Sequence, residues 1–187
     1  MKDSHGRDYW LVSLKALNRA AGSRVIASKL ASCYADWLSD PVVSKYLYVN
    51  STRTQVTASR WLRGIMRSND IKTFLVGIDS NGPFGHVRLS SCTDGGCLIS
   101  IMIGKVDRFY SGRGGKMLEE VLAMAQKRGH FTQSAMIHKE NAVSQMLFSS
   151  YGFHSDDCSY PDPSFTAEQR RLNPSLCWKR FVRVSSC

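Results

Sequence analysis

No apolar run in these 187 residues approaches the roughly 20 needed to cross a bilayer. The opening MKDSHGRDYW lacks the apolar stretch of a secretory leader. Together these absences make a cytoplasmic protein without membrane association the expectation. No C-x-x-C pair occurs: Cys33, Cys92, Cys97, Cys158, Cys177 and Cys187 are scattered. That scatter argues against a zinc site, so no metal is expected, and it favours reduced structural thiols over a disulfide framework. Cys187, last in the chain, is expected to be exposed and open to oxidation. Neither a basic low-complexity tail nor an RNA-binding signature is present. No internal repeat or linker divides the chain. A single domain over 1–187 is expected, with a length that suits one core, as a monomer or homodimer.

What the chain does have is apolar content and positive charge. Hydrophobic residues make up 43%, which suits a globular protein. The formal net charge is +10. Such an excess either keeps the protein soluble or meets an anionic partner. Without a nucleic-acid motif, the favoured partner is a phosphorylated small molecule, and no specific nucleic acid is expected.

Periodicity supplies the elements. Residues 9–17 read as a first strand. Residues 24–27 admit either a short strand or the lead-in to a helix. Leu30, Tyr34, Trp37 and Leu38 recur at helical spacing, and Asp40-Pro41 ends that helix. A short helical turn follows over 41–47. Ala58, Trp61, Leu62, Ile65 and Met66 define another amphipathic helix. The period then changes to that of strands. A strand over 73–78, an Asn81-Gly82 turn, a strand over 84–91, an Asp94-Gly95-Gly96 turn and a strand over 98–103 make an antiparallel meander. On the middle strand Val87 and Leu89 share one face, and His86, Arg88 and Ser90 share the other. Met117, Leu118, Val121, Leu122 and Ala125 form the stripe of a further helix. A strand over 133–138 and a helix from Asn141 follow, with Val143, Met146 and Leu147 expected inward and Gly152 closing the helix. Residues 154–163 read as irregular, and 176–184 as a last strand.

The stretch Ser111-Gly112-Arg113-Gly114-Gly115-Lys116 feeds glycines and two cations into a helix start. A helix N-terminus carries unpaired N–H groups and partial positive charge, and glycine lets an anion approach them. A plain strand-to-helix turn is the competing reading. The Walker pattern G-x-x-x-x-G-K-[ST] fails, because Met117 follows Lys116 and Tyr110 stands where the first glycine belongs. The dinucleotide pattern G-x-G-x-x-G fails at Met117 as well.

A third pattern fits. Phe109-Tyr110-Ser111-Gly112-Arg113-Gly114 resembles the Q/R-x-x-G-x-G/A loop of the GNAT superfamily of acetyl-CoA-dependent N-acetyltransferases, with an aromatic in first position. The run N-x-x-S-x-x-L-F-x-x-x-G-F from Asn141 to Phe153 resembles the family's closing helix. Trp37-Leu38-Ser39-Asp40-Pro41-Val42-Val43 is similar to the W-x-x-D-P-x-V signature of one branch. That branch holds the ribosomal-protein alanine acetyltransferases and many small-molecule enzymes.

The resemblance implies an α/β (α+β) fold, with a mixed, mostly antiparallel sheet flanked by helices and a splayed central strand pair. Its core would span 9–153, with 154–187 as a C-terminal segment. It implies acetyl-CoA as acyl donor. Ile101, Met102 and Ile103 would bond the pantetheine arm through their backbone. Ser111, Gly112, Arg113, Gly114, Gly115 and Lys116 would hold the pyrophosphate. Asn141 would contact the cofactor near its thiol, and as a helix N-cap it has a structural role too.

Acetyl transfer to an amine needs a base, a polarised carbonyl and a stabilised leaving thiolate. A backbone N–H near Met102 or Ile103 suits the oxyanion. His86 is the candidate catalytic base, because its ordinary pKa suits the task. A hydrogen-bonded or solvent-facing histidine is the alternative, and His138 is the second candidate. Many relatives place a tyrosine acid where Phe148 stands. Tyr151, three positions on, reads as a core aromatic. The acceptor is expected to be an anionic small-molecule amine such as a nucleotide-linked amino sugar. The alternatives are a protein N-terminus, or a non-catalytic CoA- or nucleic-acid-binding module.

Overall fold

The computed structural model describes residues 1–21, 23–47, 55–67, 71–91, 95–161 and 177–185. In chain order the elements are β1 (Tyr9–Ser13), α1 (Leu14–Ala21), α2 (Ser23–Ser39), α3 (Pro41–Ser44), α4 (Gln55–Arg67), β2 (Ile71–Asp79), β3 (Gly82–Ser91) and β4 (Cys97–Ile103). A 3-10 turn, Val106–Arg108, leads to α5 (Arg113–Lys127), β5 (Thr132–His138), α6 (Ala142–Ser150), β6 (His154–Pro161) and β7 (Cys177–Val184). The strands form one sheet in the order β1-β2-β3-β4-β5-β7-β6. Every neighbouring pair is antiparallel except β4 and β5.

Both faces of the sheet are covered, so alternate residues on a strand enter different cores. Val87, Leu89 and Ile99 pack with Met117, Leu118, Val121, Leu122 and Ala125 of α5, and with Phe148 and Phe153 at α6. Phe74, Val76 and Met102 pack on the other face with Leu30, Tyr34 and Trp37 of α2 and Leu62 and Ile65 of α4. Each large apolar side chain buried this way contributes about 1.5–3 kcal/mol. His86 therefore does not face solvent. Its face of β3 is a second core.

Four expectations need correction, and one left open is decided. The first strand stops at Ser13, and Leu14 opens a helix. Leu14 and Leu17 lie one helical turn apart in a run of good helix formers, and Leu14 is buried. Residues 24–27, open between a strand and a helix lead-in, are helical, inside α2. Residues 154–161 form an edge strand. Its Ser and Asp residues carry no apolar alternation, and its register against β7 breaks between Ser155 and Ser159, so the pairing was invisible to periodicity. On α6, Val143 and Met146 are exposed at 52% and 73%. The buried stripe runs through Phe148 instead, with Leu147 and Tyr151 packed beside it. The hairpin turn also falls one residue early. Asp79 pairs with Gly82, which leaves Ser80 and Asn81 at the turn.

The parallel pair positions the site. β4 and β5 pair only at Cys97–Gln133 and Leu98–Ser134, and then diverge. From Ile99 to Ile103 one edge of β4 has no ladder partner, while its other edge stays paired to β3 through Ile103. Asp94, Met66's side chain, Leu176, Cys187 and the loop 48–53, expected to shape substrate choice, lie outside the described residues. Cys33 and Cys97 form no disulfide. No described helix is long and apolar enough to cross a membrane.

Candidate functional site

A cleft of about 290 Å³ opens where β4 and β5 part. It is lined from both sides of the sheet. Phe148, Asn141 and Ser144 reach it from α6, and Tyr34, Trp61, His86 and Arg88 from the α2–α4 side. Ile101 and Met102 line it from the unpaired strand. Ile103 lies one residue beyond, against the α5-side core. The divergence thus makes a passage through the sheet, with the N-terminus of α6 on one side and a buried histidine on the other.

The glycine loop stands at the start of α5. Gly112 is the N-cap, with φ +74, a region that favours glycine. It offers no capping side chain, so the first-turn amides keep the vacant donors of a helix start. Tyr110 also has positive φ, +57, and is 81% exposed. The protein itself explains two of the three glycines. Gly112 needs its φ, and a Cβ on Gly115 would sit 3.0 Å from the Tyr151 hydroxyl. A Cβ on Gly114 would meet only Leu147, at an ordinary 3.5 Å. Its bareness has no packing cause, and it fits close approach by an anion. Ser111 is buried and donates its hydroxyl to the Arg108 carbonyl at 2.7 Å.

The two loop cations part company. Lys116 is exposed and pairs with Glu119 at 2.8 Å. Arg113 is 1% exposed and points into the protein. Its Nη1 donates to Asp79 at 2.6 Å, and its Nε and Nη2 to Asp3 at 3.2 and 3.1 Å. Arg108 donates to the same Asp79 oxygen at 2.8 Å. The Arg113 guanidinium also lies over Phe84, 4.6 Å from the ring centroid. Its backbone remains at the loop, but its charge is spent beneath it. Burial pushes the Asp3 carboxyl up, yet hydrogen bonds from the Arg7 and His5 amides and the Arg7 guanidinium outweigh it, bringing its pKa to about 2. Asp79 is held low in the same way, by Arg108 and Arg113 against the cost of burial. This network went unseen in the sequence, because its members lie as far apart as Asp3 and Arg113.

On the opposite face, His86 is buried and stacks on Phe74, with ring centroids 4.8 Å apart. The Tyr34 hydroxyl and His86 Nδ1 are 2.5 Å apart. Tyr34 has no other acceptor among the described residues, so its O–H donates and the imidazole proton sits on Nε2. Burial, and secondarily the Arg88 charge, drive the His86 pKa down to about 3. The expected base near neutrality is therefore a neutral imidazole that offers a donor. Arg88 is the next inward residue on β3. Its Nη2 donates to Ser100 Oγ at 3.3 Å, and its Nε is buried without an acceptor.

Asn141 caps α6, its side chain accepting from the Ser144 amide at 3.1 Å. Its Nδ2 has no partner among the described residues, so the residue can cap and still donate to a ligand. Phe148 sits edge-on to Phe153 and is buried. His138 lies at the cleft rim between Tyr46 and Trp178. Tyr151 sits at Gly115, away from the cleft lining.

No protein-family model and no curated protein matches the chain. Solved structures do. An acetyltransferase of the GNAT family from Streptococcus pneumoniae superposes with a TM-score of 0.68 at 14% identity, covering 96% of this chain and 100% of that one. The chain has the GNAT fold. A ribosomal-protein-alanine N-acetyltransferase from Brucella melitensis gives 0.66 at 16% identity, over 94% and 99% of the two chains. A Salmonella typhimurium structure solved with its cofactor acetyl-CoA gives 0.64 at 14% identity, over 94% and 93%. At such identity the sequence signal lay in the loop and helix motifs. The GNAT sheet with its one parallel pair, β4 and β5, accounts for the cleft's position. No group of metal-ligating side chains occurs among the described residues.

Proposed function

We propose that the chain is an N-acetyltransferase that moves an acetyl group from acetyl-CoA to the primary amine of an anionic small molecule. One observation carries the reading: β4 loses its partner beyond Leu98, and the uncapped start of α5 packs at Leu147 and Tyr151 against α6, the helix that lines the resulting cleft. Acetyl-CoA supplies an activated acetyl group as a thioester. The amides of residues 111–116 and the Lys116 ammonium hold the pyrophosphate. The free edge of β4 at Ile101, Met102 and Ile103 bonds the pantetheine arm, and Asn141 Nδ2 donates near the thiol. A backbone N–H near Met102 or Ile103 donates to the carbonyl oxygen as charge develops there.

His86 belongs on the acceptor side, as a neutral Nε2–H donor held by Tyr34. The amine then loses its proton to water rather than to His86. A nucleotide-linked amino sugar is one acceptor of the anionic class. A protein N-terminus is the second reading, favoured by the likeness to the Brucella enzyme.

Thermal unfolding with acetyl-CoA tests the reading. A ligand of the folded state at a hundred times its Kd adds about 2.7 kcal/mol of stability. A clear upward shift is expected, followed by CoA release with small amines. An unchanged melting temperature at millimolar acetyl-CoA, with no heat of binding, sinks it. Binding without turnover of any amine or peptide leaves a non-catalytic CoA-binding module.

A further inference from the structure

We infer that Arg88 binds a carboxylate of the acceptor, so the acceptor is a small primary amine carrying one carboxylate. The inference deepens the acetyl-transfer reading and rests on it. Arg88 lines the cleft on the face opposite the glycine loop, where an acceptor would enter from the far side of the sheet. Its only hydrogen bond among the described residues is to the neutral Ser100, and its Nε is buried with no acceptor. The comparison with Arg108 and Arg113 is direct, since both of those pair with carboxylates. Arg88 is half-buried, and a guanidinium with one nitrogen buried and unpaired and no carboxylate against it is disfavoured. Such an arrangement is sustained when a ligand brings the missing charge.

The rest of the lining agrees. Among the described residues no aspartate or glutamate lines the cleft, so a polyamine would find nothing there to hold a second cation. The described lining also has no second arginine or lysine. One guanidinium matches the single charge of a carboxylate, and a phosphate dianion would leave excess charge buried. Arg88 stands opposite Ser100, and His86 opposite Met102. Anion and amine would thus be separated by about two residues of strand, roughly 7 Å. A cleft of about 290 Å³ shared with the thioester end restricts the acceptor to a short spacer between the two groups.

The test uses the full chain, acetyl-CoA and matched amines: β-alanine against ethylamine, 4-aminobutyrate against propylamine, and 2-aminoethyl phosphate as the phosphate arm. Acetyl-CoA affinity is measured alongside by calorimetry. A hydrogen-bonded charge pair is worth about 1.5–3 kcal/mol, which is a preference of about tenfold or more in kcat/KM for the carboxylated member of each pair. Arg88→Met should erase that preference while acetyl-CoA affinity holds and the melting temperature does not fall. Arg88→Lys should restore part of it, and Arg88→Gln, which keeps a donor for Ser100, replaces the Met variant if that one misfolds. If wild type binds acetyl-CoA yet shows no preference for carboxylated amines, prefers 2-aminoethyl phosphate, or keeps its preference in Arg88→Met, the assignment of Arg88 is overturned and the transfer reading stands. If wild type does not bind acetyl-CoA, the transfer reading falls and this inference with it.

Discussion

Arg113, fully buried, and Arg88, half-buried, lie on opposite faces of one sheet. Around Arg113 the chain supplies two carboxylates, a second arginine and an aromatic face. Around Arg88 it supplies one serine hydroxyl and leaves a buried nitrogen unpaired. The loop arginine, which its sequence neighbours offer to a phosphate, is a strut. The strand arginine, which pattern alone marks only as a polar position, is the charge left for a ligand. A cation's role follows from what the fold sets beside it, and sequence adjacency to a glycine loop does not decide it.

The largest effect should come from removing the strut. Arg113→Met leaves Asp3 and Asp79 buried with fewer partners, and breaking a buried pair costs about 3–5 kcal/mol. Asp3 ties the N-terminal hook to the loop, since Ser4 N–H donates to the Ser111 carbonyl. Urea unfolding should show the loss, with weaker acetyl-CoA binding in whatever remains folded. A variant as stable as wild type would erase the distinction between the two arginines.

The sequence carried the meander, the α5 stripe and the loop, because each is a local pattern with a fixed period or a fixed glycine spacing. It carried the W-x-x-D-P stretch for the same reason. Asp40 caps α3 through the Val42 and Val43 amides, and Pro41 stands at the helix's first position. What it could not carry was pairing across long separations. Asp3 meets Arg113 and Tyr34 meets His86 only after the sheet and helices are assembled. The same limit hid β6, whose polar residues become a strand only beside β7. Alternation placed His86 opposite Val87 and Leu89 correctly, but alternation says nothing of what covers the second face. The helices α2 and α4 cover it, and that burial changes the histidine's chemistry.

Acid should separate the two faces next. His86 has a pKa of about 3 when folded, against 6.5 for an ordinary histidine. A group depressed by folding contributes stability that is complete above its unfolded pKa and lost as pH falls toward the folded one. The His86 contribution is therefore lost between about pH 6.5 and 3. The Asp3 contribution is lost lower, between 3.8 and about 2. Melting temperature should begin to fall below pH 6.5, and His86→Gln should flatten that first decline without touching the second. The pH–rate profile of wild type should show no limb near 6.5 from His86. Turnover should instead rise with pH as the acceptor loses its proton. In Arg88→Met the His86 pKa should move up, because Arg88 is the second cause of its depression after burial. An NMR titration of the His86 ring with a midpoint near 6.5 in wild type would overturn this account.

The smallest effect is the sharpest test of the loop. Gly112 and Gly114 stand two residues apart and should respond in opposite directions. Alanine at Gly112 must adopt φ near +74, which costs about 1–2 kcal/mol. Alanine at Gly114 meets only Leu147 at ordinary contact distance, in the first turn of α5. There alanine is the better helix former, by up to about 1 kcal/mol. Gly114→Ala should therefore raise the melting temperature slightly. If the helix start receives a pyrophosphate, the added methyl stands where the anion approaches, and the acetyl-CoA Kd should rise. A gain in stability together with a loss of binding has no explanation in packing, because packing tolerates the methyl. Should Gly114→Ala bind acetyl-CoA as wild type does, the loop at that position is a turn, and the pyrophosphate is held elsewhere.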